Sequence, residues 1–225
     1  MTVSLIKRSL ILPIMFLVFV ACTSDEPSLK RFDSLREEGT KAAEKMMASS
    51  YLYRIDITPE EQEMQSVMKS ARSGSGGSQV LVRGLGIEQT RREKYIEPFE
   101  ADIETLRKGT VQLTEVAQTL HDADLRSAAL KVSAHYGRLV ELGAGLAAAQ
   151  RTRSVFTEKF LNALVDRSIT GRLNVGASSS ELGRADEQAN QNRTEIEKLY
   201  PEEAVLYAEF KGVRQRKKAT FFGQE

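Results

Sequence analysis

The side chains that could attack, bind metal or move a proton near neutral pH are few in this 225-residue chain: two histidines, His121 and His135, and one cysteine, Cys22. A zinc site or a catalytic dyad needs such groups to converge. If a helical hairpin turns near His121, His135 lies well down the second helix and the two rings stay apart. Glu97 with Glu100, and Asp102 with Glu104, are close in sequence. A glycosidase, however, needs two carboxylates facing one cleft with separated pKa values, and these acids belong to strongly charged, solvated helix faces. Gly74-Ser75-Gly76 has the letters of a nucleophile motif without the strand-to-helix elbow that exposes the serine. Ser73 to Ser78 is glycine-rich but lacks the Gly-Lys-Ser/Thr of a phosphate loop. A single cysteine can form no disulfide within the chain and no cysteine-type metal site. No catalytic constellation, metal site or cofactor is expected.

Two features carry more. The first is the start of the chain. Lys7 and Arg8 precede an apolar run, Ser9 to Ala21, that contains Pro13. Thirteen helical residues cover ~20 Å, short of a ~30 Å hydrocarbon layer, so the run reads as a cleaved leader rather than a spanning helix. It ends in Phe19-Val20-Ala21-Cys22 and is followed by the polar Thr23-Ser24-Asp25-Glu26-Pro27. This junction resembles the lipobox of bacterial lipoproteins, with Phe19 where leucine is usual. The resemblance covers the leader alone, and the other reading is a plain secretory leader with an incidental cysteine. It implies that Cys22 becomes the first mature residue and carries palmitate-type acyl chains. Two or more chains anchor stably where one does not, at ~0.8 kcal/mol per buried CH₂. The implied location is the cell envelope, extracytoplasmic and lipid-anchored. With Thr23 rather than Asp after the cysteine, it is the periplasmic side of the outer membrane in a Gram-negative cell.

The second feature is a basic C-terminal run, Lys211, Arg214, Arg216, Lys217 and Lys218, followed by Phe221 and Phe222. It reads either as a solvated tail favouring a helix C-terminus or as a grip on an anionic surface, lipid, glycan or acidic partner. The chain as a whole is not basic. Its formal charge of +1 falls by two when residues 1–21 take Lys7 and Arg8 and no acid, leaving −1. No nucleic-acid partner is expected.

What would position these residues is helical. Aromatics make up only 7% of the chain and tryptophan is absent, which suits helix seams better than sheets. Phe99, Ile103, Leu106, Thr110, Leu113, Ala117 and Leu120 advance in alternating steps of four and three. Leu125, Ala129, Val132, Tyr136, Leu139, Gly143 and Leu146 repeat the pattern. This is the a/d seam of packed helices. The register slips at His121-Asp122-Ala123-Asp124, where Asp122 or Asp124 could cap a new helix. The chain is therefore expected to be all-α, an elongated helical bundle around a central antiparallel hairpin or coiled coil. One continuous helix with a phase slip is the rival.

Five segments follow: a lipoprotein signal peptide (1–21), N-terminal helices (22–72), a Gly/Ser-rich linker (73–85), the central hairpin (86–169), and C-terminal helices with the basic tail (170–225). Leu29, Phe32, Leu35, Ala43, Met46 and Met47 give the first helix an apolar face, for the bundle or for lipid. Tyr51 to Ile57 is an extended segment or a helix tail. Thr58-Pro59-Glu60-Glu61 starts a helix with a capping box. Pro98 kinks a helix or begins one. Gly143 to Ala149 permits either a close crossing or a self-association face. After Leu146 the seam is expected to change phase, moving Val155, Phe156 and Phe160 inward in place of Gln150 and Arg153. Thr170 to Ser180 reads as a loop, with Ser178 to Glu181 opening the next helix and Pro201 the last.

The function this implies is a lipid-anchored envelope lipoprotein with a structural or protein-interaction role and no enzymatic activity, meeting an envelope protein or forming homo-oligomers. The alternative is a binding module that holds a small hydrophobic or glycan ligand between helices, in a cavity lined by Met46, Met47, Met64 and Tyr136.

Overall fold

The seam residues do form a hairpin. In a computed structural model, which describes residues 25–51, 58–73, 77–166 and 169–221, every seam position from Phe99 to Leu146 is buried except Thr110, which is half-buried. The leader, Cys22 and the Tyr51 to Ile57 segment beyond Tyr51 lie outside the described residues. The chain forms α1 (Glu26–Tyr51), α2 (Pro59–Arg72), α3 (Gly77–Arg91), a π-helical turn (Arg92–Ile96), α4 (Glu97–Thr119), α5 (Ala123–Val165), α6 (Ile169–Leu199) and α7 (Glu202–Phe221). There is no strand among the described residues. None of the described helices is long and apolar enough to cross a membrane.

The helices align end to end into four antiparallel rods. Rod one is α1 with α2, rod two α3 with α4, rod three α5 alone, and rod four α6 with α7. Facing residues run in opposite order between neighbouring rods. Thr119 meets Ser28 while Asp102 meets Ser49 and Glu63 meets Arg83. A Cβ on Gly143 would touch Ile103, and Ser154 meets Arg92. Arg153 meets Asp186, and Lys217 meets Asp124. At 43 residues, α5 is about 65 Å long and sets the length of the bundle.

The turn between α4 and α5 breaks where the register slips. Leu120 is extended, and Asp122 caps α5 by accepting from the amides of Asp124 (2.9 Å) and Leu125 (3.0 Å). Thr58 caps α2, its hydroxyl accepting from the Glu61 amide at 3.2 Å. Glu61 does not complete the box. Its carboxylate turns inward to Arg153.

Two expected loops are helical, for a shared reason. The linker foreseen at 73–85 gives way to α3 from Gly77 onward, because Val80, Gly84, Ile87 and Arg91 continue a four-three seam. Glycine eases the approach: a Cβ on Gly84 would lie 2.6 Å from Leu161 Cδ1, so the buried Leu161 side chain would have to shift. The π-helical turn, itself reached before Pro98, inserts the extra residue that brings this seam into line with Ile96 and Phe99. The loop foreseen at Thr170 to Ser180 is instead the first third of α6, with Ser178 inside it rather than at its start. Gly171, Ser178, Ala185, Ala189 and Ile196 are buried at heptad-like spacing, so small residues here let α6 approach α5 closely.

The core lies in two parts. The larger joins α1, α4, the first part of α5 and α7, and contains Phe32, Met46, Phe99, Leu106, Tyr136, Leu139 and Phe210. The smaller joins α2, α3 and the end of α5 through Met64, Val67, Val80, Ile87 and Leu161. The apolar face of α1 is thus covered by helices rather than open to lipid.

Candidate functional site

Arg153 is the residue whose place the sequence pattern misjudged most. The seam was expected to rotate it outward after Leu146, but the seam holds its phase. Gln150, Arg153, Ser154 and Thr157 are buried, while Val155 is 44% exposed. Each rod contributes to a charged layer around it. Glu61 of α2 accepts from Arg153 Nη2 at 3.2 Å through both oxygens. Arg91 of α3 donates to Glu88 at 3.1 Å, and its Nη1 lies 3.7 Å from Glu61. Asp186 of α6 lies 2.8 Å from Arg153 Nε, but too far out of line for a hydrogen bond, so the contact is electrostatic. Gln150 Nε2 and Arg153 Nη1 meet no acceptor. The layer, with these polar atoms left without hydrogen bonds, separates the two apolar cores.

A second network surrounds Tyr136. Its hydroxyl lies 2.8 Å from that of Thr40 and 3.2 Å from Glu203 Oε1. Arg36 clasps Glu203 through Nε (2.6 Å) and Nη2 (2.7 Å) and stacks on the Tyr207 ring. Burial pushes the Tyr136 hydroxyl far above the ordinary tyrosine range. A notch of about 130 Å³ opens here, beside Tyr200 and Pro201 where α6 gives way to α7. The methionine-lined cavity considered from the sequence is not assembled. Met46, Met47 and Tyr136 are packed in the larger core and Met64 in the smaller one.

The two histidines stay apart in their surroundings. His121 is exposed in the α4–α5 turn, its Nδ1 2.9 Å from Asp25. His135 is buried edge-on to Tyr136, and its Nε2 has no partner. Burial holds the His135 pKa below the ordinary histidine value, against the pull of Glu203 and Glu202. Among the described residues no cluster of three or more His, Asp or Glu side chains could hold a metal ion.

Three of the five cations in the basic run are paired within the bundle. Arg214 pairs with Asp33 (2.7 Å) and Glu26 (3.3 Å), Lys217 with Asp122 (3.0 Å) and Asp124 (2.7 Å), and Lys218 with Glu26 (3.9 Å). Lys211 lies over the Tyr207 ring and Arg216 is exposed. Arg214, Lys217 and Lys218 fasten α7 to the start of α1 and to the α4–α5 turn, because the fold brings those acids to the same end of the bundle.

Asp25 completes that fastening. Its Oδ1 accepts from the His121 amide at 2.8 Å and its Oδ2 from the Asp122 amide at 3.1 Å. Burial alone would raise the Asp25 pKa, but these amides and the His121 ring together hold it below the usual carboxylate range. The Leu125 amide, opposed by burial and aided by Lys217, holds Asp122 low as well. No signal in the sequence marked Asp25, since its partners lie at the far side of a hairpin.

Set against known proteins, the chain matches no family model, no curated protein and no solved structure.

Proposed function

We propose that this is a lipid-anchored lipoprotein of a bacterial envelope, with a structural or protein-interaction role and no enzymatic activity. The observation that carries this reading is the lipobox-like leader that ends at Cys22, and the Asp25 clasp determines which end of the bundle an anchor there would hold. Asp25 stands three residues after Cys22 and is hydrogen-bonded into the α4–α5 turn. Three residues reach at most about 10 Å. An acylated Cys22 would therefore hold that end of the bundle close to the membrane, without a long tether. The opposite end, with the α2–α3 hairpin and the start of α6, would project about 65 Å outward. The lipobox-like leader supports the anchor.

The experiment is membrane fractionation of the full chain beside a Cys22→Ala variant in a bacterial host. The wild type is expected in the membrane pellet, released by detergent and resistant to high salt. The variant is expected to lose that lipid-dependent retention. Equal retention of a correctly processed variant would reject the anchor. The role itself is tested by crosslinking in intact cells from the projecting end, where a reproducible envelope partner or a second copy is expected.

A further inference from the structure

The end of α5 carries a second seam, which α6 borders without covering. Thr152, Phe156, Lys159, Ala163 and Asp166 advance in steps of four, three, four and three, the spacing of a coiled-coil contact. The seam that faces the cores runs along the other side of the helix, through the buried Arg153, Thr157 and Leu161. On the second seam Thr152, Lys159 and Asp166 are exposed, as are Val155 and Asn162 beside them, and Phe156 is half-buried. Together with the first half of α6 this stripe walls a groove of about 570 Å³, lined from the α6 side by Asn174 and Ser178. Apolar side chains stay open next to it. Val155, adjacent in sequence to Phe156, is 44% exposed, and Leu173, adjacent to Asn174, is 71% exposed.

The charges on the seam select what would cover it. The Lys159 ammonium lies over the Phe156 ring, 4.7 Å from its centre, and has no carboxylate partner among the described residues. Asp166 stands two turns further along α5, ~10 Å away. A helix lying on this stripe must bring a carboxylate to Lys159 and a cation to Asp166, at the same two-turn spacing. A second copy brings both when its α5 runs antiparallel. With the two-fold axis between Asn162 and Ala163, Lys159 of each copy faces Asp166 of the other. The residues at the axis suit a close crossing, because Ala163 is small. Asn162 Nδ2 gives one hydrogen to the Glu158 carbonyl at 2.8 Å, and its second N–H and its Oδ1 match those of another Asn162. Asp166 holds contacts within its own chain, and a carboxylate has acceptor sites for more than one donor. Such a contact uses the same patch on both copies and closes at two.

We propose that two copies of this chain pair through this face, α5 against α5, with Lys159 and Asp166 meeting across the axis. The pairing rests on the interaction role proposed above, for which it names the partner, and not on the acylation of Cys22. Its failure would leave crosslinking to another envelope protein untouched, so the two are read separately.

The test is disulfide capture in the full chain, purified in neutral detergent with micelles in excess over protein. Asn162→Cys places a thiol beside the axis, where helices packed about 8–10 Å apart bring facing positions within disulfide reach. The parent chain, whose one cysteine is Cys22, sets the background. Gln112→Cys, on the exposed side of α4, sets the level of chance collision. Mild oxidation is expected to link the Asn162→Cys chain into a dimer severalfold more than either control. Lys159→Glu and Asp166→Lys, each added to Asn162→Cys, should cut the yield severalfold by setting like charges opposite one another. The two reversals together should restore it, which loss of fold cannot do. A yield at Asn162→Cys no higher than at Gln112→Cys would overturn the proposal. So would a yield that the single reversals leave unchanged, or a double reversal as poor as the singles.

Discussion

Removing the guanidinium of Arg153 would leave Glu61 and Asp186 facing one another in the charged layer. Breaking a buried ion pair from one side costs about 3–5 kcal/mol, whereas replacing both partners with apolar residues of similar size is often neutral. Arg153→Met is therefore expected to lower stability strongly, and Arg153→Met with Glu61→Met to recover most of the loss, as read by urea denaturation. His135 supplies a pH dependence. Its native pKa lies below the unfolded value near 6.5, so the fold holds the neutral ring. Its contribution is complete above that value and drains as pH falls through it toward the lowered native pKa, because the unfolded chain takes the proton first. Urea midpoints are expected to drop between pH 7 and pH 5, and His135→Leu should flatten that part of the curve. Neither residue was legible beforehand. Arginine in a seam looks like a phase change until partners from other rods are known, and an inward histidine shows no sign of its missing partner.

At the scale of the helix, the α4–α5 turn depends on one carboxylate. Asp122→Ala removes the cap from α5 and a partner from Lys217, and is expected to cost about 1–2 kcal/mol. Asp122→Asn keeps an acceptor for the Asp124 and Leu125 amides and should cost less, by chemical denaturation at pH 7. Because Asp25 and Asp122 both titrate below the usual range, the fastening they provide is complete above ordinary carboxylate pKa values. It fails as pH falls through their lowered native ones. The His121 and Asp122 amides should then lose hydrogen-exchange protection before the middle of α4 does. This hairpin was readable in the sequence because its seam residues are large and apolar and its slip falls on capping acids. The helices from Gly77 and Ile169 were not. Their seams are built from Gly84, Gly171, Ser178 and Ala185, types that signal turns when isolated and close approach when a neighbouring helix covers them. Only the neighbour decides between those outcomes, and it lies in another rod.

At the scale of the whole molecule, four rods of similar length meet in two apolar cores separated by charge. The core around Met64 and Leu161 is small, while the one around Phe99 and Tyr136 spans most of the bundle. Local opening follows buried apolar contact, so amides of α2 and α3 are expected to exchange faster than those of α4 and the first half of α5. That gradient would leave the end near Asp25 firm and the opposite end more yielding, which is what the proposed anchoring at one end and contact at the other would call for. Everything about this orientation depends on the modification of Cys22. Intact-mass and peptide mass spectrometry of the full chain recovered from a bacterial membrane tests it most directly. The expected result is a chain that begins at Cys22 and carries the added mass of its acyl groups. A chain that retains residues 1–21, or begins elsewhere with an unmodified Cys22, would contradict it.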